Sequence, residues 1–547
     1  MSESTIESLF PFDSFRENQR EVIEAIIKAL YDEDYKNVVL DAPVGSGKSA
    51  VLTTVLRYGG DGFYVTPQRS LREQLQADEK LDPHLESLKA RKDYTCKVSG
   101  ENCEECPIYT SSEESCSSQG PLCSYWSRKL SVIGSDIANV TFAYLIIDSN
   151  LPEKNGEQPI SFGDRSKLAV DEAHNLAQQV EEMHAGFKIS PFSLPTPVFD
   201  GVTDSAPYDA NMYEDVKSEV NTILQRCLDY IGETPPMEMS PEQKSCNQIA
   251  EKIKWMNEEV QNGNAWVADV ESVKYGGGYE KVIELRPINV SSFLRNFVWN
   301  RAGKRIISTA TLPYRDNPEI WLRKVGLNPE ETRVISVPMT FPVENRPIHT
   351  DCMVASMSSG GFKDNLDDVL EKMNEIAERH YNQKGLIHTA SYSRGELIKD
   401  NITESEHPYL HENMYLHDQD RDPDVQIEEW QDSDYDMMLS PSMAEGVDLK
   451  DDMCRFQMLA KVPYPARDSR IEYVLENESW GWVEMRERTL IRVVQSYGRA
   501  VRSRDDFADY YVLDSAWEDL IQKTTPPEWY MEAIGVEPVN QKSIFDY

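Results

Sequence analysis

Short apolar runs recur along the chain, each ending in a polar turn. Val38-Val39-Leu40 runs into 41–49, Phe63-Tyr64-Val65 into Thr66-Pro67, and Leu168-Ala169-Val170 into Asp171-Glu172-Ala173-His174. Apolar runs without polar alternation are the pattern of strands buried on both faces, as in a parallel sheet. Between them lie helical spacings. An amphipathic helix opens at Phe15 and runs towards Tyr31, a second stretch covers 50–58, a third 68–77, and strand-then-helix resumes at 136–147. Repeated strand–helix units predict an α/β fold with a parallel sheet.

A second block of the same kind begins near Pro347, with strands expected at 384–390, 436–441 and 510–514. Two segments break the rhythm. Residues 88–126 are rich in Cys, Ser, Glu and Gly, too polar to form a core unaided, and call for a cross-link or a metal. His174 and Ser308 are separated by about 130 residues, long for a connection, which predicts an inserted domain. It has a Pro-rich entry (191–207), helical stretches at 213–230 and 241–262, and a hairpin, 265–275 and 279–285, turning at Gly276-Gly277-Gly278. No repeat of solenoid period occurs.

Chemistry enters at the first turn. Ala42-Pro43-Val44-Gly45-Ser46-Gly47-Lys48-Ser49 fits A-x-x-x-x-G-K-S, with Ala where Gly is commoner. After a buried strand and before a helix, this is a phosphate-binding loop: backbone N–H groups wrap the β-phosphate, Lys48 reaches the β and γ oxygens, and the Ser49 hydroxyl ligates Mg²⁺. The alternative is a chance Gly/Ser turn. A hydrolytic site also needs one carboxylate for the metal and another to orient the attacking water, and Asp171 and Glu172 suit those roles. Gln19, whose amide both donates and accepts, is placed to read an adenine edge. Gln495, Arg499 and Arg502 fall at i, i+4 and i+7, the spacing of one helical face presenting guanidiniums to a γ-phosphate.

The 547 residues suffice for three or four domains, and the formal charge of −38 (56 Lys and Arg, 94 Asp and Glu) argues against nonspecific coating of nucleic acid. Any strand must run in a locally basic channel. No apolar stretch of membrane-spanning length occurs and the first residues lack a basic leader, so the expectation is a soluble, intracellular protein with no membrane association. Five of nine cysteines lie between 96 and 123 (Cys96, Cys103, Cys106, Cys116, Cys123), which points to a metal centre. Cys103-x-x-Cys106 alone fits half a zinc knuckle as well as a cluster ligand pair. Cys227, Cys246, Cys352 and Cys454 read as ordinary neutral thiols.

Taken in order, the motifs resemble the superfamily 2 DNA helicases of the XPD/DinG (Rad3-like) group. The matching pieces are 15–19, 42–49, Thr66-Pro67-Gln68-Arg69-Ser70, Asp171 to His174 as a DEAH box, Ser308-Thr309-Ala310-Thr311-Leu312, 385–392, Glu445-Gly446-Val447-Asp448 and 495–502. The resemblance implies two RecA-like P-loop domains with an inserted cysteine-rich cluster domain and a mainly helical arch-like insertion. The expected division is 1–88 with 130–187 and 288–335 for the first RecA-like domain, 89–129 for the cluster domain, 188–287 for the arch, and 336–547 for the second RecA-like domain. It implies ATP and Mg²⁺ as cofactors, the metal held by Ser49 and Asp171. His174, Gln495, Arg499 and Arg502 act with Lys48 and the two carboxylates, and Glu445, Gly446 and Asp448 touch nucleotide and strand. The element Ala90-Arg91-Lys92-Asp93-Tyr94-Thr95-Cys96 is where the group carries a [4Fe–4S] cluster; four of the five clustered cysteines would ligate it, zinc being the alternative. The implied activity is ATP-dependent DNA unwinding with 5′ to 3′ translocation on single-stranded or forked DNA, an RNA–DNA hybrid being a further possible substrate. The implied state is a monomer with an unidentified loading partner, in the cytoplasm or nucleoid, or a viral protein in its host's cytoplasm. Tyr94, Lys92, Tyr125, Trp126 and Arg128 are candidates to stack bases or grip phosphates. The competing readings are a nucleic-acid-dependent ATPase switch or remodelling subunit without processive unwinding, and a small-molecule P-loop kinase or transporter ATPase, which predicts neither a second sheet domain nor a cysteine insertion.

Overall fold

The computed structural model describes residues 3–67, 69–97, 100–103, 123–149, 160–181, 185–235, 239–357, 359–441 and 449–536. Gln68, Cys106, Cys116, Glu445, Gly446, Val447 and Asp448 lie outside the described residues.

The first apolar run is strand β1 (Asn37–Asp41) and the second β2 (Gly62–Thr66), both buried throughout. With β3 (Glu86–Ser87), β4 (Ile137–Thr141), β5 (Arg165–Val170), β9 (Ala302–Thr309) and β10 (Thr332–Ser336) they form a seven-stranded sheet ordered β10-β1-β9-β5-β2-β4-β3, all parallel. This order decides the site. The C-terminal ends of β1, β9 and β5 are neighbours, so the phosphate loop, the Ser308 to Thr311 segment and the Asp171 to His174 turn lie in a row. Leu40 pairs with Ser308 and Val170 with Ile307.

A second parallel sheet, ordered β11-β16-β15-β12-β14-β13, contains β11 (Ile348–His349), β12 (Gly385–His388), β13 (Met414–Leu416), β14 (Met437–Ser440), β15 (Phe456–Leu459) and β16 (Asp509–Val512). Between β5 and β9, β6 (Phe187–Ile189), β7 (Trp266–Tyr275) and β8 (Gly278–Pro287) make an antiparallel sheet ordered β6-β8-β7. It packs on the helices Lys217–Ile231 and Pro241–Gln261 around a separate core that includes Val220, Ile223, Ile253, Trp266 and Ile283. The second helix starts as its sequence requires: Ser240 caps the Gln243 N–H while the Gln243 side chain returns to the Ser240 N–H.

Three expectations need correction. The N-terminal helix starts at Gln19 rather than Phe15, after Asn18 in a left-handed conformation, and the Phe15 ring packs on Phe10 instead. The late helix Gly481–Tyr497 stops before Arg499, so Gln495, Arg499 and Arg502 do not share a helical face. Gly498 and Arg499 close the last turn on Val494 and Ser496 carbonyls, and the chain leaves it as a loop. Tyr125 and Trp126 are buried, their rings joining the core of the first lobe with Cys103 and Cys123, and so cannot stack bases.

The insertion is clamped to the second lobe by charge. Arg286 of β8 donates to Asp468 at 2.8 Å. Glu181, just before the insertion, receives both Arg470 and Arg488, with side chains 4%, 3% and 15% exposed. Removing this buried carboxylate takes the carboxylate from Arg470 and leaves Arg488 with Glu484. Glu181→Gln is therefore expected to lower stability by about 3–5 kcal/mol in urea unfolding, with Glu181→Leu/Arg470→Met recovering part of it; a loss below about 1 kcal/mol would contradict a buried network.

Candidate nucleotide site between two lobes

The phosphate loop closes through two left-handed glycines, Gly45 (φ 78°) and Gly47 (φ 77°), a conformation that side chains adopt at a cost. Crowding adds to that cost, chiefly at Gly45. A Cβ on Gly45 would sit 2.3 Å from the Phe341 ring and 3.1 Å from the Arg502 carbonyl, and one on Gly47 would sit 2.1 Å from Gln19 Nε2. The helix Lys48–Arg57 begins at the loop, so its free N–H groups and dipole face whatever the loop holds.

Gln19 does something other than expected. Its Oε1 accepts from the Arg16 N–H at 2.7 Å, and its Nε2 donates to the carbonyls of Ser46 and Gly47 at 3.2 and 3.4 Å. Arg16 adds a bond to the Gly45 carbonyl at 2.9 Å. Both ends of the amide are engaged by backbone, so Gln19 braces the loop.

Lys48 Nζ is shared between the Ala42 carbonyl (3.4 Å) and the Glu172 carboxylate (3.5 Å). Asp171 accepts from the Tyr64 hydroxyl at 2.9 Å, and Tyr64 also meets the Ser49 hydroxyl. Ser49 and Asp171 thus share the Tyr64 hydroxyl as a neighbour. Burial, reinforced by the charge of Glu172, raises the Asp171 pKa. Burial acts the same way on Glu172, but Lys48, His174 and Arg499 outweigh it and hold its pKa below the ordinary value. One carboxylate of the pair is thereby kept ionised by three cationic or polar partners. Tyr64 was missed in the sequence; a tyrosine in a fully buried strand needs a hydroxyl partner, and that is the usable signal.

The second lobe completes the ring. His174 Nδ1 lies 3.2 Å from Thr309 Oγ1 and 3.4 Å from Glu172 Oε2, while its Nε2 meets Gln495 of the late helix. Thr309 Oγ1 in turn donates to the Thr311 carbonyl at 3.0 Å. Arg499 acts on Glu172 of one lobe and on His388 of the other, whose pKa falls to about 4, mainly by burial. The Arg502 backbone lies against Gly45, and a Cβ on Gly498 would sit 3.1 Å from Val44. Of the described site residues, Lys48, Asp171, Glu172, His174, Gln495 and Arg499 are linked by direct interactions, and Gln19 braces the loop beside them. Arg502 is placed there by its backbone.

The cysteine segment packs on the first lobe. Cys96, Cys103 and Cys123 are buried, Cys103 and Cys123 interact, and Arg91 reaches Cys103 and stacks over Tyr125 at 4.1 Å. Among the described residues no three Cys, His, Asp or Glu side chains converge on one point to hold an ion.

Residues 375–530, spanning most of the second lobe, match the helicase C-terminal domain family. A solved XPD helicase superposes with a TM-score of 0.58 at 16% identity, over 94% of this chain and 98% of that one. Xpd4 of S. tokodaii gives 0.54 at 15%, over 95% and 99%. The chain resembles the XPD/DinG helicases. It is 22% identical over 251 residues to the ATP-dependent DNA helicase DinG of Photobacterium profundum and 31% identical over 109 residues to the ATP-dependent DNA helicase chl1 of Schizosaccharomyces pombe. These alignments cover 43% and 18% of this chain and only 34% and 13% of the relatives. The XPD/DinG resemblance read from the motifs is borne out, and the two parallel sheets have the form of two RecA-like helicase lobes. Among the described residues no helix is long and apolar enough to cross a membrane.

Gln19→Ala is expected to weaken ATP and GTP binding alike, by about tenfold, because it frees the loop carbonyls. Equilibrium titration with both nucleotides checks this; a loss confined to ATP would restore the adenine-reading role.

Proposed function

We propose that this chain is an ATP-dependent DNA helicase in which two RecA-like lobes share a nucleotide. The observation that carries the reading is the meeting of Lys48, Glu172 and His174 of one lobe with Gln495 and Arg499 of the other. In this reading the phosphate loop and Lys48 bind the triphosphate, Lys48 exchanging its bond to Glu172 for γ-phosphate oxygens. Ser49 and Asp171 would hold Mg²⁺, which would neutralise charge on the phosphates. Glu172, freed from Lys48, orients the attacking water and takes its proton, and His174 fixes its carboxylate. Arg499 faces the charge that develops on the transferred group, so hydrolysis requires the lobes to be together.

The unwinding substrate is single-stranded or forked DNA tracked 5′ to 3′, supported by the XPD/DinG resemblance. The unit 188–287 takes the place of the arch, and 89–129 that of the cluster domain. Four thiolates drawn from Cys96, Cys103, Cys106, Cys116 and Cys123 would hold a [4Fe–4S] cluster; burial and the neighbouring Cys123 push the Cys103 thiol up, and the Arg91 charge beside it acts the other way, towards the thiolate a cluster needs. The cluster would supply rigidity to a segment too polar to fold alone.

Lys48→Ala is expected to abolish DNA-stimulated hydrolysis and to stop unwinding of a duplex with a 5′ overhang; retained hydrolysis would refute the phosphate-loop role. Wild type that hydrolyses ATP with DNA yet never separates strands would favour the ATPase switch. Anaerobically purified protein is expected to carry about four irons per chain, and stoichiometric zinc would replace the cluster by a structural zinc.

A further inference from the structure

The segment that follows β9 turns a corner that no motif accounts for. Tyr314 is buried at 4% exposure with φ of 51°, a left-handed conformation unusual for a bulky residue. Both polar groups of Tyr314 are held by the second lobe: its N–H donates to Glu487 at 2.8 Å, and its hydroxyl donates to Glu484. Glu484 is shared with Lys324 of the first lobe and with Arg488 Nε at 2.7 Å. These groups line a narrow cleft, open at its mouth, that runs on to His174.

The next residue faces the other way. Arg315 grips Asp41 with both guanidinium nitrogens, at 2.7 and 2.8 Å. Asp41, with a 4% exposed side chain, is the last residue of β1 and directly precedes Ala42, whose carbonyl holds Lys48. One strained dipeptide therefore connects carboxylates of the late helix to the root of the phosphate loop. Bidentate pairing makes the Arg315 end stiff. The Tyr314 end is crowded with buried charge, so small changes in lobe position alter its balance: burial pushes Glu487 up to about 7, and burial together with Arg488 and Arg470 depresses Lys324 strongly.

We propose that Tyr314 and Arg315 are positioning residues that transmit the position of the second lobe to the phosphate loop. The proposal rests on the shared-nucleotide reading, and it adds a path from the lobe interface to Lys48 that avoids the phosphate contacts. Neither side chain is placed against the nucleotide.

The experiment uses the full chain with Tyr314→Phe, which keeps the ring and the corner but loses the hydroxyl, and Arg315→Lys, which loses the bidentate grip. Amide hydrogen exchange of 40–47 is followed beside ATP hydrolysis with and without single-stranded oligo(dT), thermal melting serving as the folding control. Both variants are expected to speed exchange in 40–47, to leave basal hydrolysis and the KM for ATP unchanged, and to reduce the DNA-stimulated increment of kcat about fivefold or more. Unchanged exchange in both variants would overturn the link, as would basal and stimulated rates falling in the same proportion. Faster exchange in a chain whose wild type hydrolyses no ATP would sustain the link and sink the helicase reading instead.

Discussion

Packing a buried ammonium and a buried carboxylate against a second, partly exposed carboxylate is the constraint on which this molecule turns. Lys48, Asp171 and Glu172 would each be costly out of water alone. Together they are stable because three parallel strands, β1, β9 and β5, end side by side and bring a turn from each to the same edge. Tyr64, rooted in β2, supplies the remaining donor to Asp171. The cluster is left one polar face short, and the second lobe fills it with Gln495 and Arg499. In the proposed reading, charge pairing ties contact between the lobes to the arrangement of Lys48 and Glu172.

The two lobes touch through more than this cleft. Glu181 binds Arg470 and Arg488, Arg286 of the insertion binds Asp468, and Tyr314 lies between Glu484 and Glu487. Most of these groups are buried ions whose attraction and desolvation nearly cancel. An interface of that kind fixes register without large net stability.

Much of the fold and site was legible because it depends on local patterns. Doubly buried strands leave continuous apolar runs, a phosphate loop needs glycines in left-handed conformations at Gly45 and Gly47, and the hairpin announced itself through Gly276 to Gly278. What escaped depends on contacts distant in sequence. The i, i+4, i+7 spacing of Gln495, Arg499 and Arg502 fitted a helix, but the helix ends at Tyr497 and Arg499 reaches the site from the loop beyond it. Gln19 looked free to meet a base because its amide partners, Ser46 and Gly47, lie across a turn. Tyr125 and Trp126 are, by sequence, candidates for base stacking or for the core, and their rings lie in the first lobe's core. Tyr314 and Arg315 bear no motif at all, and only the meeting of β9's exit with the late helix gives them significance.

The central claim is that the two lobes complete one hydrolytic site, and Arg499 tests it most directly. Single-turnover ATP hydrolysis by Arg499→Ala, at saturating single-stranded DNA and alongside nucleotide binding, is the decisive measurement. The account predicts near-normal binding with hydrolysis slowed about 10³-fold or more. Hydrolysis at the wild-type rate would contradict it, because the first lobe would then be a complete catalyst by itself.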